Sequence, residues 1–266
     1  MNRPRPVRTW RSSAGKSSAG KSSTGKSAAG KSAAAGTPRS TAPRSPVAPT
    51  SSAARTVAAV AFALAAVCYA SWLLGPVLNP GLGPIDSYLS ELAARDQPYH
   101  RFFQLGDVAT GLCAATAGLV LLRVARDVPR PAWWGALVFG VATAVDGGYT
   151  TMDCAPSVDA RCARLEELGD LSWRHQAHTV TSSVAVAGGL LSLVVILAVL
   201  RGPARRRVGL AVAVVLLVGT VGTLVAAVRP EFGLGLWQRA QLIGLSGWLL
   251  LAAGVARWGP HPEQPR

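Results

Sequence analysis

Charge is scarce in this chain, and negative charge is scarcer still. Of 266 residues, 15% are charged and 50% hydrophobic, with 13 Asp and Glu against 27 Lys and Arg. Residues 1–55 hold no acid beside eleven Lys and Arg, so much of the formal net charge of +14 sits there. Several signatures are missing. No H-E-x-x-H marks a metalloprotease helix, and no G-x-S-x-G surrounds Ser87 or Ser90 as it would in a hydrolase elbow. No small-x-small cleavage site stands clear of the first apolar run, which argues against a removed signal peptide. A strongly basic chain ordinarily points to nucleic acid. A soluble nucleic-acid binder, however, does not carry long runs almost free of charge.

Those runs are what the chain has in place of charge. Apolar stretches of about 20 residues, each long enough to cross a bilayer, fall near 56–77, 104–122, 132–150, 176–200, 208–228 and 236–256. The expected fold is therefore an all-α six-transmembrane-helix bundle over 56–256. It is preceded by a basic tail (1–55) and followed by a short one (257–266). Gln238, Arg239 and Gln241 interrupt the start of the last span.

The loops set the orientation. Arg123, Arg126 and Arg130 face a single Asp127 between spans two and three, and Arg201, Arg205, Arg206 and Arg207 stand without acid between four and five. The intervening loops are acidic (Asp86, Glu91, Asp96; Asp153, Asp159, Glu166, Glu167, Asp170). The positive-inside rule then places both termini in the cytoplasm and the acidic loops outside the plasma membrane. Trp133, Trp134 and Trp258 on the inner side, with Trp173 and Trp237 on the outer, suit the headgroup zones.

The first 55 residues repeat SSAGK-SSAGK-SSTGK-SAAGK from Ser12 to Lys31, then turn Pro, Ser and Thr-rich. Such a composition buries too little apolar area to offset ordering and reads as disordered. A tether to anionic lipid and a dispensable extension both fit. Membrane lipids are the expected partners, with a membrane protein or small molecule possible on the outer face; nucleic acid is not expected.

Ionisable residues inside spans are costly and point to function. Asp107 in span two and Asp146 in span three each come out about 8–9 Å below the outer boundary at 1.5 Å per residue. Span four begins with His175, His178, Thr179 and Ser182, a polar stripe at helical spacing. Arg239 enters at the same level from span six, and His100 stands where the first outer loop meets span two. Asp107, Asp146, His175, His178 and Arg239 therefore form the candidate polar pocket, with Ser90, Glu91, His100 and Asp153 as secondary candidates. An ion pair of Arg239 with either Asp, fixing helix register without chemistry, is the competing reading. His175 and His178 with Asp146 are the residues that a zinc ion would use; otherwise no cofactor is expected.

Cys154 and Cys162, close together in an outer loop, predict a disulfide in an oxidising exterior. Their spacing to His175 and His178 matches no usual zinc knuckle. Ser87 and Ser90 with Glu91 predict the cap of a short amphipathic helix ending near Asp96.

The run SYLSELAAR (Ser87–Arg95) ahead of FFQLGD, and the later TMDCAPSVD…C…EE…LSWRHQAHT, resemble the bacterial integral membrane family catalogued as domain of unknown function 998. The resemblance covers roughly residues 56–256. It implies a six-helix membrane protein without an assigned activity. A more distant likeness is to the membrane hydrolase superfamily that includes the alkaline ceramidases, which use Ser, Asp and three His around zinc. Ser90, His100, Asp107, His175 and His178 are the residues it would enlist, although H-x-x-H replaces a wider pair and six spans replace seven. The leading expectation is non-enzymatic: binding of a lipid headgroup, small molecule or membrane partner from outside. A zinc-dependent hydrolase of lipid or envelope amides or esters is the alternative, and a proton-coupled transporter using Asp107 and Asp146 the third.

Overall fold

Helix boundaries follow the punctuation of the chain in the computed structural model, which describes residues 50–260. Helix α1 (Thr50–Tyr69) passes through a 3-10 turn (Ala70–Leu74) into the short α2 (Gly75–Leu78). Then come α3 (His100–Val124), α4 (Arg130–Gly148), α5 (Ala160–Leu168), α6 (Trp173–Val199), α7 (Pro203–Val228) and α8 (Leu234–Trp258). Prolines open α4 and α7, where a missing amide hydrogen costs nothing. Asp159 caps α5 through the Arg161 and Cys162 amides, and Gly169, at φ 72°, ends it in the left-handed region. The tail expected over 1–55 lies outside the described residues up to residue 49, but Thr50–Arg55, assigned to it from composition, is already helical. The C-terminal tail lies outside them from residue 261 onward.

Ser51–Leu78, α3, α6, α7 and α8 are five helical segments long and apolar enough to cross a membrane. Helix α4, the third expected span, is not among them. Asp146, a Trp pair and several glycines dilute its 19 residues. Interruption of α8 by Gln238, Arg239 and Gln241 proves harmless, since that helix is continuous.

Helix contacts run in the order α6, α4, α3, α1, α8, α7, and α6 touches α7 and α8 only sparsely. Small residues bring the well-packed neighbours close. A Cβ on Gly111 of α3 would lie 2.3 Å from the Ala144 amide nitrogen of α4, and one on Gly140 of α4 would lie 2.3 Å from that of Ala115. The core is an aromatic cluster, with Phe62, Trp133, Phe139 and Trp248 each fully buried. Phe139 and Trp248 meet edge-on at 4.9 Å between centroids, and the Trp248 indole donates to Ser192 Oγ at 3.1 Å. Trp133 therefore belongs to the core and not to a headgroup belt. Trp134, next to it, is half exposed, as are Trp173 and Trp258. Most of α7 is bare: Val214 and Leu224 are 60% and 65% exposed, which water would penalise and lipid does not.

The two ends of the bundle differ. At one, Arg55 pairs with Asp127 and donates to the Ala256 carbonyl, the Arg201 amide donates to the Pro260 carbonyl at 2.9 Å, and Arg205 donates to that of Gly259 at 3.2 Å. The start of α1, the α3–α4 and α6–α7 turns and the end of α8 thus lie together. At the other end two loops interlock as a cap over residues 79–99 and 149–172. Leu82, Leu89, Leu92, Phe103, Met152 and Ala155 form its apolar centre.

Candidate functional site

A fully buried carboxylate holds the cap. Glu91 accepts the Tyr88 amide at 2.9 Å, the Ser157 amide at 2.7 Å and the Ser157 hydroxyl at 2.5 Å. The Ser157 hydroxyl also meets that of Ser87 at 2.8 Å. Asp96 accepts the Ala155 amide at 3.0 Å, and the Arg95 amide donates to the Met152 carbonyl at 3.1 Å. The segments around Ser87–Arg95 and Asp153–Asp159 are therefore two halves of one clasp. The expected amphipathic helix is a 3-10 turn (Leu89–Ala93), and the amide that Glu91 satisfies at its start belongs to Tyr88. Neither Ser87 nor Ser90 caps it. Cys154 and Cys162 form the disulfide within the second half.

Beneath the cap lies a cavity of about 120 Å³, lined by Asp107, Asp146, Thr143, His178, Ser90 and Trp72 among others. Asp107 and Asp146 come from α3 and α4, whose approach depends on Gly147: a Cβ there would sit 2.6 Å from that of Asp107. Three groups converge on Asp146 Oδ1. Thr181 and Thr150 donate hydroxyls to it, the latter at 3.1 Å, and His178 Nδ1 lies at 2.9 Å without the alignment of a hydrogen bond. Asp146 Oδ2 and the Asp107 carboxylate have no donor among the described residues. The Thr143 hydroxyl and the Trp72 indole N–H are buried and unpartnered among them, and Thr143 is only 5% exposed.

The remaining candidates are engaged elsewhere. Arg239 does not join either Asp; it donates to the carbonyls of Pro84 (2.6 Å), Gly235 (3.0 Å) and Ser87 (3.4 Å), because its register on α8 turns it towards the cap loop. His175 Nδ1 accepts the Asp153 amide at 3.1 Å and its Nε2 lies 3.2 Å from Glu166. Asp153 in turn accepts the Ser172 amide and hydroxyl at the start of α6. His100 Nδ1 sits 2.7 Å from the Gln97 carbonyl. The zinc set is thus not gathered: among the described residues no three His, Cys, Asp or Glu side chains are placed to hold a metal ion. Of the residues the hydrolase likeness would enlist, Ser90, Asp107 and His178 line the cavity. Sequence reasoning missed Thr181, Trp72 and Ser157. Thr181 lies three residues beyond His178 on α6, a spacing that would have found it.

A family profile described as "Protein of unknown function (DUF998)" matches residues 60–255. The chain belongs to that family. Its match runs from α1 to the last turn of α8, so it takes in the cap, the cavity and all the long helices. No curated protein and no solved structure matches this DUF998 member.

Proposed function

We propose that this DUF998 protein is a six-span plasma-membrane protein, with both termini cytoplasmic, that binds a ligand's ammonium group from the outer side between Asp107 and Asp146. The observation that carries the reading is the mismatch inside the cavity. Asp146 gathers one imidazole and two hydroxyls on Oδ1, its Oδ2 and the Asp107 carboxylate accept no hydrogen bond among the described residues, and the Thr143 hydroxyl and Trp72 indole N–H find no acceptor among them. A carboxylate at the centre of a span costs up to about 3 kcal/mol to place, and less nearer the boundary, and an ammonium bearing a neighbouring oxygen would satisfy all of these groups. The aromatic cluster of Phe62, Trp133, Phe139 and Trp248 closes the bundle on the arginine-rich side of the cavity. That favours a site open to one face over a proton path.

Span count and orientation rest on the arginine-rich end. Its shared contacts support a bundle in which every long segment, α4 included, runs from one end to the other. At 1.5 Å per residue, 19 residues of α4 reach about 28 Å, close to the hydrocarbon thickness. In cells, a membrane-impermeant maleimide is expected to label Glu167→Cys directly and Ala204→Cys only after permeabilisation. External labelling of Ala204→Cys would overturn this topology.

Ethanolamine, which carries an ammonium and a hydroxyl, is the simplest probe of the site. It is expected to raise the melting temperature of the detergent-purified protein saturably. Asp107→Asn should weaken it by about tenfold or more, the scale of one charge-assisted hydrogen bond. A response unchanged by that substitution would remove Asp107 from the site.

A further inference from the structure

The cavity adjoins a second, larger space. A cleft of about 610 Å³ occupies the sparse junction between α6 and α7, within the size range of ligand pockets. The two share Ser90, Met152, His178, Ser182, Gln238 and Gln241 as a common wall. Away from that wall the lining is mixed: Ala187 and Leu190 of α6 and Leu224 and Ala227 of α7 form an aliphatic strip, beside Thr220 and Thr223 of α7, Ser183, His175 and Glu166. Ala187 and Leu190 lie in the middle of α6, whereas Leu224 and Ala227 lie in the last turns of α7, at the cap end of the bundle. Two adjoining spaces therefore meet along one wall, one carrying Asp107 and Asp146 and the other an aliphatic strip on α6 and α7. Elsewhere around the ring the neighbouring helices pack closely, so the α6–α7 junction is the loose seam. Among the described residues no Arg or Lys lines either part, so nothing there matches a phosphate.

Resting on the ammonium reading above, we propose that the ligand is an amphiphile of the membrane itself: a long-chain lipid with a free amine. Its ammonium sits between Asp107 and Asp146, and its aliphatic chain lies in the α6–α7 cleft, entered sideways from the outer leaflet. Charge complementarity selects the amine end. The apolar seam and the lipid-facing surface of α7 select the tail. A soluble amine would use the cavity and leave the cleft to bulk lipid.

The full chain in phosphatidylcholine nanodiscs, photolabelled with a diazirine-bearing hexadecylamine, tests this. Labels are expected on the α6 and α7 segments containing Leu190, Leu224 and Ala227. Unlabelled hexadecylamine should compete at concentrations about tenfold or more below those needed by hexadecanol. Ala187→Trp, which fills the cleft without touching the carboxylates, should reduce labelling about tenfold while leaving the ethanolamine response intact. Labels mapping elsewhere, equal competition by hexadecanol, or indifference to Ala187→Trp would each overturn the amphiphile proposal. If ethanolamine still binds in an Asp107-dependent way, only the tail assignment falls; if it does not, the ammonium reading falls with it.

Discussion

Alanine at Gly111 is expected to leave little folded protein. The new Cβ would stand 2.3 Å from the Ala144 nitrogen, 2.5 Å from the Gly140 carbonyl oxygen and 2.7 Å from the Ala144 Cα, all backbone atoms that no rotamer change can move. Helices α3 and α4 would have to separate along their whole contact, forfeiting dispersion contacts where lipid supplies no hydrophobic drive to restore them. Overpacking of a well-packed core costs about 1–3 kcal/mol where side chains can shift; a backbone-to-backbone clash belongs at or above the top of that range. The same separation carries Asp107 away from Asp146, so any protein recovered should have lost the ethanolamine response. Gly254→Ala is the control. Its Cβ meets only the far edge of the Trp258 ring at 3.8 Å, so yield and melting temperature should stay at the native level. Equal behaviour of the two variants would show that the α3–α4 contact is not close-packed.

The contrast between those glycines also shows where sequence reading stops. Both interrupt apolar helices and look alike in one dimension. The helices themselves were legible because a bilayer-crossing run needs about 20 apolar residues and little else resembles one. Helix α4 was read as a span like the others, yet Arg130, the Trp pair, Asp146 and its glycines leave it less apolar than the five segments that qualify. Asp107, Asp146 and His178 could be brought together from depth and periodicity alone, because each lies on a long regular helix. Arg239 could not: its level on α8 was right, but its direction depends on which cap carbonyls lie within reach. His175 misled for a similar reason. It is one turn from His178, yet α5 and the Asp153 amide occupy both of its ring nitrogens. The Glu91–Ser157 clasp joins residues 66 apart in the chain through an irregular loop, and no spacing rule marks such a partner.

Removal of that clasp should be felt throughout the outer cap. Glu91→Ala strands the Tyr88 and Ser157 amides in a region where Glu91 itself is wholly buried, and it frees the Ser157 hydroxyl. Each unsatisfied buried donor costs about 1–3 kcal/mol, so a loss of about 3 kcal/mol or more is expected. Ser157→Ala, which keeps the amide bond, should cost about 1 kcal/mol. Glu91→Gln, whose carbonyl oxygen still accepts while its NH2 group faces a donor, should fall between the native protein and the alanine variant. The pH dependence has a definite sign. Burial raises the Glu91 carboxyl above its ordinary 4.5, against the lowering effect of the Ser157 and Tyr88 hydrogen bonds, with Glu166 adding to the rise. A group whose folded pKa is raised gives its full contribution below the unfolded value and loses it as pH climbs towards the folded value. The stability difference between native protein and Glu91→Ala should therefore narrow as pH rises from about 4.5, and then level off. Amide hydrogen exchange of residues 87–99 and 151–159 across that range measures it directly. A gap that widens with rising pH would mean that the hydrogen bonds outweigh burial, with the carboxylate held as an anion by the clasp.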